Sequence, residues 1–316
     1  LYRRLAANSS LRERAWAYIG LSNIYKTRNQ HDEAVRVLHK ALALRPNFAM
    51  ALLNLSQEEA ALQHDEDSYA WSLKLVKALK SGDASDMDPR AAAINARAAQ
   101  AANAGSVGDF QEQLRIDAEG ENLPDAGNQL ETLRETDVIT YAFLHDSAGV
   151  HGAISDNPLS TDKNVILNRT AIMLGTYFQL GRWSDVLAVA DTLEVMAADL
   201  GQAGISFEER FIRPLAAVAM AMKGDIHGAN TRIEHTALDC DLCVRARGRI
   251  AQIQHRWDAS AYWFNMVSAR SPSIPFADDD WGMMLLEKGD AAGAIEKFRS
   301  ANRKGPHFAD ALEGLG

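Results

Sequence analysis

Cys240-Asp241-Leu242-Cys243 is the sharpest chemical pattern in the sequence. Two thiols at this spacing can supply two zinc ligands or a dithiol–disulfide pair, and a helix starting behind Asp239 would lower a thiol pKa. Zinc asks for four ligands, and no second such cysteine pair exists. His235 lies before the helix that follows and His255 at its far end, about 18 Å on, so the two do not converge. No metal is expected. Cys240 and Cys243 read either as buried structural thiols or as a redox pair, the former being the plainer reading. The nine histidines are scattered, and no HExxH, P-loop, GxSxG or GxGxxG run occurs. Asp65-Glu66-Asp67 and Asp278-Asp279-Asp280 stand where helices begin, so they read as charges favoured by the helix N-terminus rather than as acid–base or metal groups. Arg245 and Arg249, one helical turn apart, could hold a carboxylate or an acidic peptide, a solvated face being the alternative. These sets make no catalytic constellation, and neither an enzyme activity nor a cofactor is expected.

Residues spaced in this way need helices to position them. The chain has 316 residues, 47% apolar and 24% charged, with eight prolines and long Ala-Leu-Glu-Arg stretches. This composition predicts an all-α protein, and the length exceeds one ordinary core, leaving two domains or a repeat array. A fixed period decides for the array. Gly248, Gly282 and Gly316 are 34 apart, and the same shift carries Phe264 to Phe298, Ser260 to Ala294 and Pro272 to Pro306. Within each unit a first helix (Cys243–Gln254, then Ala277–Glu287) meets a turn at His255-Arg256 or Lys288-Gly289-Asp290. A second helix follows (Asp258–Ala269, then Ala292–Asn302), and proline ends it.

These residues resemble the tetratricopeptide repeat, a 34-residue helix–turn–helix. The best single match, 15–48, offers Tyr18, Leu21-Ser22, Tyr25, Asp32-Glu33-Ala34, Leu38, Ala41 and Arg45-Pro46-Asn47, with Ser22 in place of the usual Gly and Asn29-Gln30 in place of Gly-Asp. The resemblance predicts an α-solenoid of about eight hairpins, superhelical and curved. Its repeats fall into an N-terminal set (1–82), divergent hairpins (83–163) and a C-terminal set (164–316, with units 167–200, 210–236, 241–274 and 275–308 and another starting at 309). In the divergent part, helices are expected at Pro89–Asn103, Phe110–Glu119, Gln129–Leu144 and Asp146–Ile154, with loops at 81–86 and 121–128 and a linker at 155–164. Pro214 falls inside an expected first helix, so that helix begins near Ile212 or kinks. Each hairpin buries only part of its apolar surface and leans on its neighbours for the rest.

The resemblance also implies where a ligand binds, since first helices of such arrays line a concave groove. Helical spacing gives the row Trp16, Ile19, Asn23, Lys26 in the first unit. Leu242, Arg245, Arg249, Gln252 and then Phe276, Asp279, Met283, Leu286 form the rows of the last two. Asn23, Lys26, Arg245, Arg249, Gln252, Asp279 and Met283 are thus the candidate groove residues. Asn23 and Lys26 are followed in the next unit by Met50, Leu53 and Gln57, so the Lys/Asn clamp that some relatives use on a C-terminal carboxylate is not reproduced.

The expected function is a non-catalytic protein–protein interaction module taking a peptide or protein segment on the concave face, with homo-oligomerisation as a further option. The alternative is the regulatory or sensory tail of a multidomain bacterial signalling or transcription-regulatory protein, as the Leu-Asp-Cys-x-x-Cys stretch and the resemblance imply. Leu1 in place of Met, and a helical pattern running into Leu315-Gly316, read as a fragment of a longer chain. The net charge of −9 disfavours gripping nucleic acid. No run is long enough to span a membrane, and two cysteines fit a reducing cytoplasm.

Overall fold

The computed structural model describes residues 2, 10–81, 87–121, 136–155 and 161–316. The sequence-predicted loops at 82–86 and 122–128, the beginning of the helix expected at Gln129, and linker residues 156–160 lie outside them. Among the described residues the regular elements are all helical, and they form eight consecutive hairpins. The first two are α1 (Leu11–Lys26) with α2 (His31–Leu44), and α3 (Ala49–Ala61) with α4 (Asp65–Lys80). The third pairs α5 (Pro89–Ser106) with α6 (Phe110–Glu121). Within α5 the chain divides into two compact units, 1–103 and 104–316. The second unit continues with α7 (136–143) and α8 (Ser147–Ser155), then α9 (Lys163–Gln179) and α10 (Trp183–Ala198). Next come α11 (Gln202–Phe207) and α12 (Arg213–Met222) with α13 (Ile226–Glu234), and α14 (Asp241–Ile253) with α15 (Trp257–Arg270). The chain closes with α16 (Phe276–Lys288), α17 (Ala291–Lys304) and an unpaired α18 (Ala309–Leu315). The architecture is an α-solenoid.

Local chemistry explains the limits of these helices. Ser10 and Glu13 form a capping box ahead of α1, and the Asp225 and Asp290 side chains accept N–H groups at the starts of α13 and α17. Each of the eight inter-helix turns contains one residue of positive φ: Asn29, Gln63, Gly108, His145, Gly181, Gly224, His255 and Gly289. A left-handed residue lets the chain leave the first helix and return antiparallel, and glycine does this without strain. Pro214 lies in the first turn of α12, behind a π-turn at Glu208–Ile212 that joins it to α11. The wider turn accommodates a proline that an uninterrupted α-helix would reject.

Packing between the two helices of a hairpin follows the 34-residue register. Gly248 faces the Phe264 ring and Gly282 the Phe298 ring, and both phenylalanines are fully buried. A Cβ on Gly282 would come 2.6 Å from Phe298, so glycine in mid-helix, costing about 1 kcal/mol against alanine, makes room for the aromatic ring. Ser22 stands in the same place in the first hairpin, buried against α2, with its hydroxyl donating to the Ile19 carbonyl at 2.8 Å. Ala34, Ser260 and Ala294 are likewise fully buried at the close approach. Gly316 is in register with Gly248 and Gly282, but it ends the chain, and Gly314 packs on Phe298 instead.

The apolar core is consequently a series of clusters, one in the first unit around Leu38, Phe48, Leu52 and Leu75, and the largest of the second around Leu174, Leu193, Ile212 and Ile250. Arg247 is buried between hairpins and donates to the carbonyls of Ile233 and Thr236 and the Thr236 hydroxyl, each at 2.8 Å, closing the end of α13.

A contact of longer range joins the two ends of the second unit. Phe110 stacks on Phe143 at 4.4 Å, and both meet Phe276 from α16, while Phe308 packs edge-on against Phe110 and Phe276. Asp109 and His307, 198 residues apart, are bonded at 2.7 Å. Neighbour-only stacking, as expected from the sequence, therefore does not describe this unit: its first and last hairpins touch.

Candidate functional site

First helices α12, α14, α16 and α18 pack successively against one another, and α14 and α16 carry the sequence-predicted groove candidates of the second unit. At its centre is Asp280, 4% exposed on the first turns of α16. Arg245 Nε donates to its Oδ2 at 2.8 Å, and Arg249 Nε to its Oδ1 at 2.9 Å. Burial pushes this carboxyl upward, but the two guanidinium groups outweigh burial and hold it below the usual carboxylate range. Arg245 also lies over the Phe276 ring and Arg249 over that of Phe178, each at 5.3 Å.

Asp279 is in the opposite situation. It is 8% exposed, and its Oδ1 has no hydrogen-bond partner. Burial and the like charges of Asp280 and Asp310, against the pull of Arg249 and Arg245, leave its carboxyl pushed up to about 8. Asp310 on α18 is raised too, mainly by burial, and His145 Nε2 lies 3.7 Å from its Oδ1. Asp278 is clasped separately, by Ser268 (2.7 Å), Ser300 (2.9 Å) and Lys304 (2.8 Å). Farther along the same face of α16, Met283 and Leu286 are 51% and 43% exposed.

This arrangement changes several sequence readings. Arg245 and Arg249 are neither a solvated face nor an empty carboxylate clamp, because Asp280 of the next repeat occupies them. Asp278-Asp279-Asp280 begin a helix as expected, but all three are buried, Asp278 held by residues of α15 and α17 and Asp280 by arginines of α14. Asp65-Glu66-Asp67 do lie in the first turn of α4. Of the other groove candidates, Gln252 donates to Glu287 at 2.8 Å, Met283 is uncovered, and Arg245, Arg249 and Asp279 come together. Asn23 and Lys26 belong to the other unit, where Asn23 is exposed and Lys26 Nζ lies 3.4 Å from Gln57 Oε1 and 3.6 Å from buried Glu58. Trp16 is half-exposed against Phe48, and Ile19 is buried. Asp310 and His145 are groups that sequence reasoning missed, and so is the pairing of Asp280, which was read only as a charge at a helix start. A signal existed for Asp280: it stands 35 and 31 residues beyond Arg245 and Arg249, one period on.

Cys240 and Cys243 are joined as a disulfide, and both are fully buried. The plainer reading, two buried thiols, is corrected in this respect: Cys240 caps α14, its sulfur accepting the Cys243 N–H at 3.1 Å, which brings the two side chains together. Among the described residues, one His–acid group has metal-ligand proximity, Glu59, His64 and Asp67 at the α3–α4 turn. His64 Nδ1 and Glu59 Oε2 lie 2.7 Å apart, so a cation there would have to break that bond.

No protein-family model and no curated protein matches the chain. Solved structures similar to it include the APC/C hetero-tetramer Cut9–Hcn1, at 13% identity and a TM-score of 0.48, over 99% of this chain and 57% of that one. Yeast Tom70 gives 12% identity and a TM-score of 0.33, over 95% of this chain and 87% of Tom70. The P58(IPK) TPR domain gives 15% and 0.27, over 95% and 86%. The chain thus spans a little over half the length of the first of these. In fold, its hairpins are tetratricopeptide-like helix pairs. The 34-residue pairing of Gly248 with Phe264 and Gly282 with Phe298 carries that statement from this chain's own geometry. Among the described residues, no helix is long and apolar enough to cross a membrane.

Proposed function

We propose that this chain is a non-catalytic protein-interaction module and that a peptide or protein segment docks on the first-helix face of its second unit. The observation that carries the reading is the pair Met283 and Leu286. They are large, half-exposed, and placed four and seven residues beyond Asp279 on one helix face, beside arginines already neutralised by Asp280. Single exposed apolar residues are ordinary; an apolar strip beside an anchored polar centre is suited to side-chain contact. The alternative role as the regulatory tail of a larger protein would use the same surface.

Display of random peptides against the whole chain tests the reading. Enriched peptides are expected to bind at least tenfold more weakly to a Met283→Ala/Leu286→Ala variant of native circular dichroism. Equal binding to both proteins, or cross-links that map to the second helices α15 and α17, would reject the docking face.

A further inference from the structure

Two arginines serve this site, and three aspartates stand beside them. Arg245 and Arg249 are both committed to Asp280, so among the described residues no cation is bonded to Asp279, whose Oδ1 is buried without a partner. Asp310 faces it from α18, with His145 at 3.7 Å from an exposed turn and Glu313 farther along the same helix adding negative charge. With all three aspartates ionised, one negative charge is left over before Glu313 and His145 are considered. The walls around this excess come from α14, α16, α18 and the α7–α8 turn, held together by the Phe110–Phe143–Phe276–Phe308 contact. Beyond it lie the apolar side chains of Met283 and Leu286.

We infer that this site recognises the side chain of a lysine or arginine in the docked segment, its cationic head seated between Asp279 and Asp310 and its methylene stem lying along Met283 and Leu286. A buried acceptor lacking a donor is the complement of an ammonium or guanidinium, which brings donors and no acceptor. An anionic ligand would find its arginines occupied and three carboxylates nearby. A long cationic side chain also fits a site with charge at depth and an apolar rim. The inference rests on the docking reading above and specifies the chemistry of the partner.

Protonation gives the site a measurable signature. The Asp279 carboxyl, pushed up to about 8, holds a proton at neutral pH in the free protein. Seating a cation against it converts –COOH to –COO⁻, and the proton passes to solvent while the ligand stays charged. Asp280, Asp310, Arg245, Arg249 and His145 are the charged or titratable groups that surround this exchange.

The test uses the full chain and four fluorescein-labelled heptapeptides of the form Ala-Leu-Ala-X-Ala-Leu-Ala, with X lysine, arginine, norleucine or glutamate. Fluorescence anisotropy is read in physiological salt, where long-range attraction to the acidic chain is screened. The lysine and arginine peptides are expected to bind at least tenfold more tightly than the norleucine peptide. Asp279→Asn and Asp310→Asn should each reduce that preference at least fivefold. Calorimetry of the lysine peptide in two buffers of different ionisation enthalpy should show a proton released near pH 7, and none with Asp279→Asn.

Equal affinity for lysine and norleucine peptides overturns the inference, as does a lysine preference untouched by both variants or lysine binding without proton release. If the cationic preference fails but Met283→Ala/Leu286→Ala still weakens all four peptides, the docking face survives and its anchor does not. If no peptide binds below millimolar concentration, the inference is overturned, and the display experiment decides the docking face separately.

Discussion

Replacing Asp279 by asparagine should stabilise the second unit in neutral and alkaline solution. The substitution keeps the shape of the protonated carboxyl and removes its titration. Burial, with Asp280 and Asp310 close by, raises this group from the ordinary 3.8 to about 8 in the folded chain. A carboxyl whose folded pKa is raised contributes fully below its unfolded pKa near 4, and that stability is lost as the pH climbs through the folded pKa near 8. At about 1.36 kcal/mol per pH unit the interval corresponds to roughly 6 kcal/mol as an upper bound. Water entry and side-chain relaxation reduce this to an expected 2–4 kcal/mol, on the order of 5–15 °C in Tm for a unit of this size. The measurement is the difference in unfolding free energy between variant and wild type across pH 4–9, followed by tryptophan fluorescence in urea. Because other titrating groups are common to both proteins, their contributions largely cancel in that difference. It should be near zero at pH 4, rise towards pH 8, and then level off. A flat difference, or a variant less stable at every pH, would refute the assignment of a buried, neutral carboxyl. A group that weakens its own fold at working pH is what a binding site retains for its ligand.

Four further outcomes follow from the packing. Phe298→Ala should cost about 3–5 kcal/mol, and amide exchange should quicken across α16–α18 while α1–α4 remain unchanged, since repeats communicate through their neighbours. Arg247→Met should lose about 2–4 kcal/mol in chemical denaturation, because the Ile233 and Thr236 carbonyls lose their donor inside the protein. In Gly305→Ala the new Cβ would overlap the Val107 carbonyl, so a loss of about 1–3 kcal/mol is expected, with faster amide exchange at Phe110 as the end-to-end contact opens. Gln63→Gly should raise stability by about 0.5–1 kcal/mol in thermal unfolding, since φ at this position is 57°.

The helices and their pairing were legible in the sequence because they depend on relations within one period. Apolar spacing, proline at helix ends and the coincidence of Gly248/Phe264 with Gly282/Phe298 are all encoded within about 34 residues. Even the divergent hairpins obey local rules: Pro89 opens α5, and Gly108 makes its turn. The left-handed residues Gln63 and His145 escaped the pattern because a turn held by its two helices tolerates a non-glycine residue at modest strain. The site was half legible. Arg245 and Arg249 fall on one helical row and Asp279 and Met283 on the next, and all four could be named, whereas their state could not.

Whether a carboxylate is ionised, paired or deprived of a partner depends on what other parts of the chain place beside it. Asp280 is neutralised by a helix one repeat earlier, Asp279 is crowded by Asp310 from the last helix, and the wall near His145 exists because residues 107–110 reach the far end of the unit. The sequence determined that this chain stacks helix pairs and which residues share a helix face, because periodicity is written locally. Tertiary structure alone decided that one aspartate on that face is spent and its neighbour left open, because burial and Coulomb interaction are set by distances between residues that periodicity does not relate.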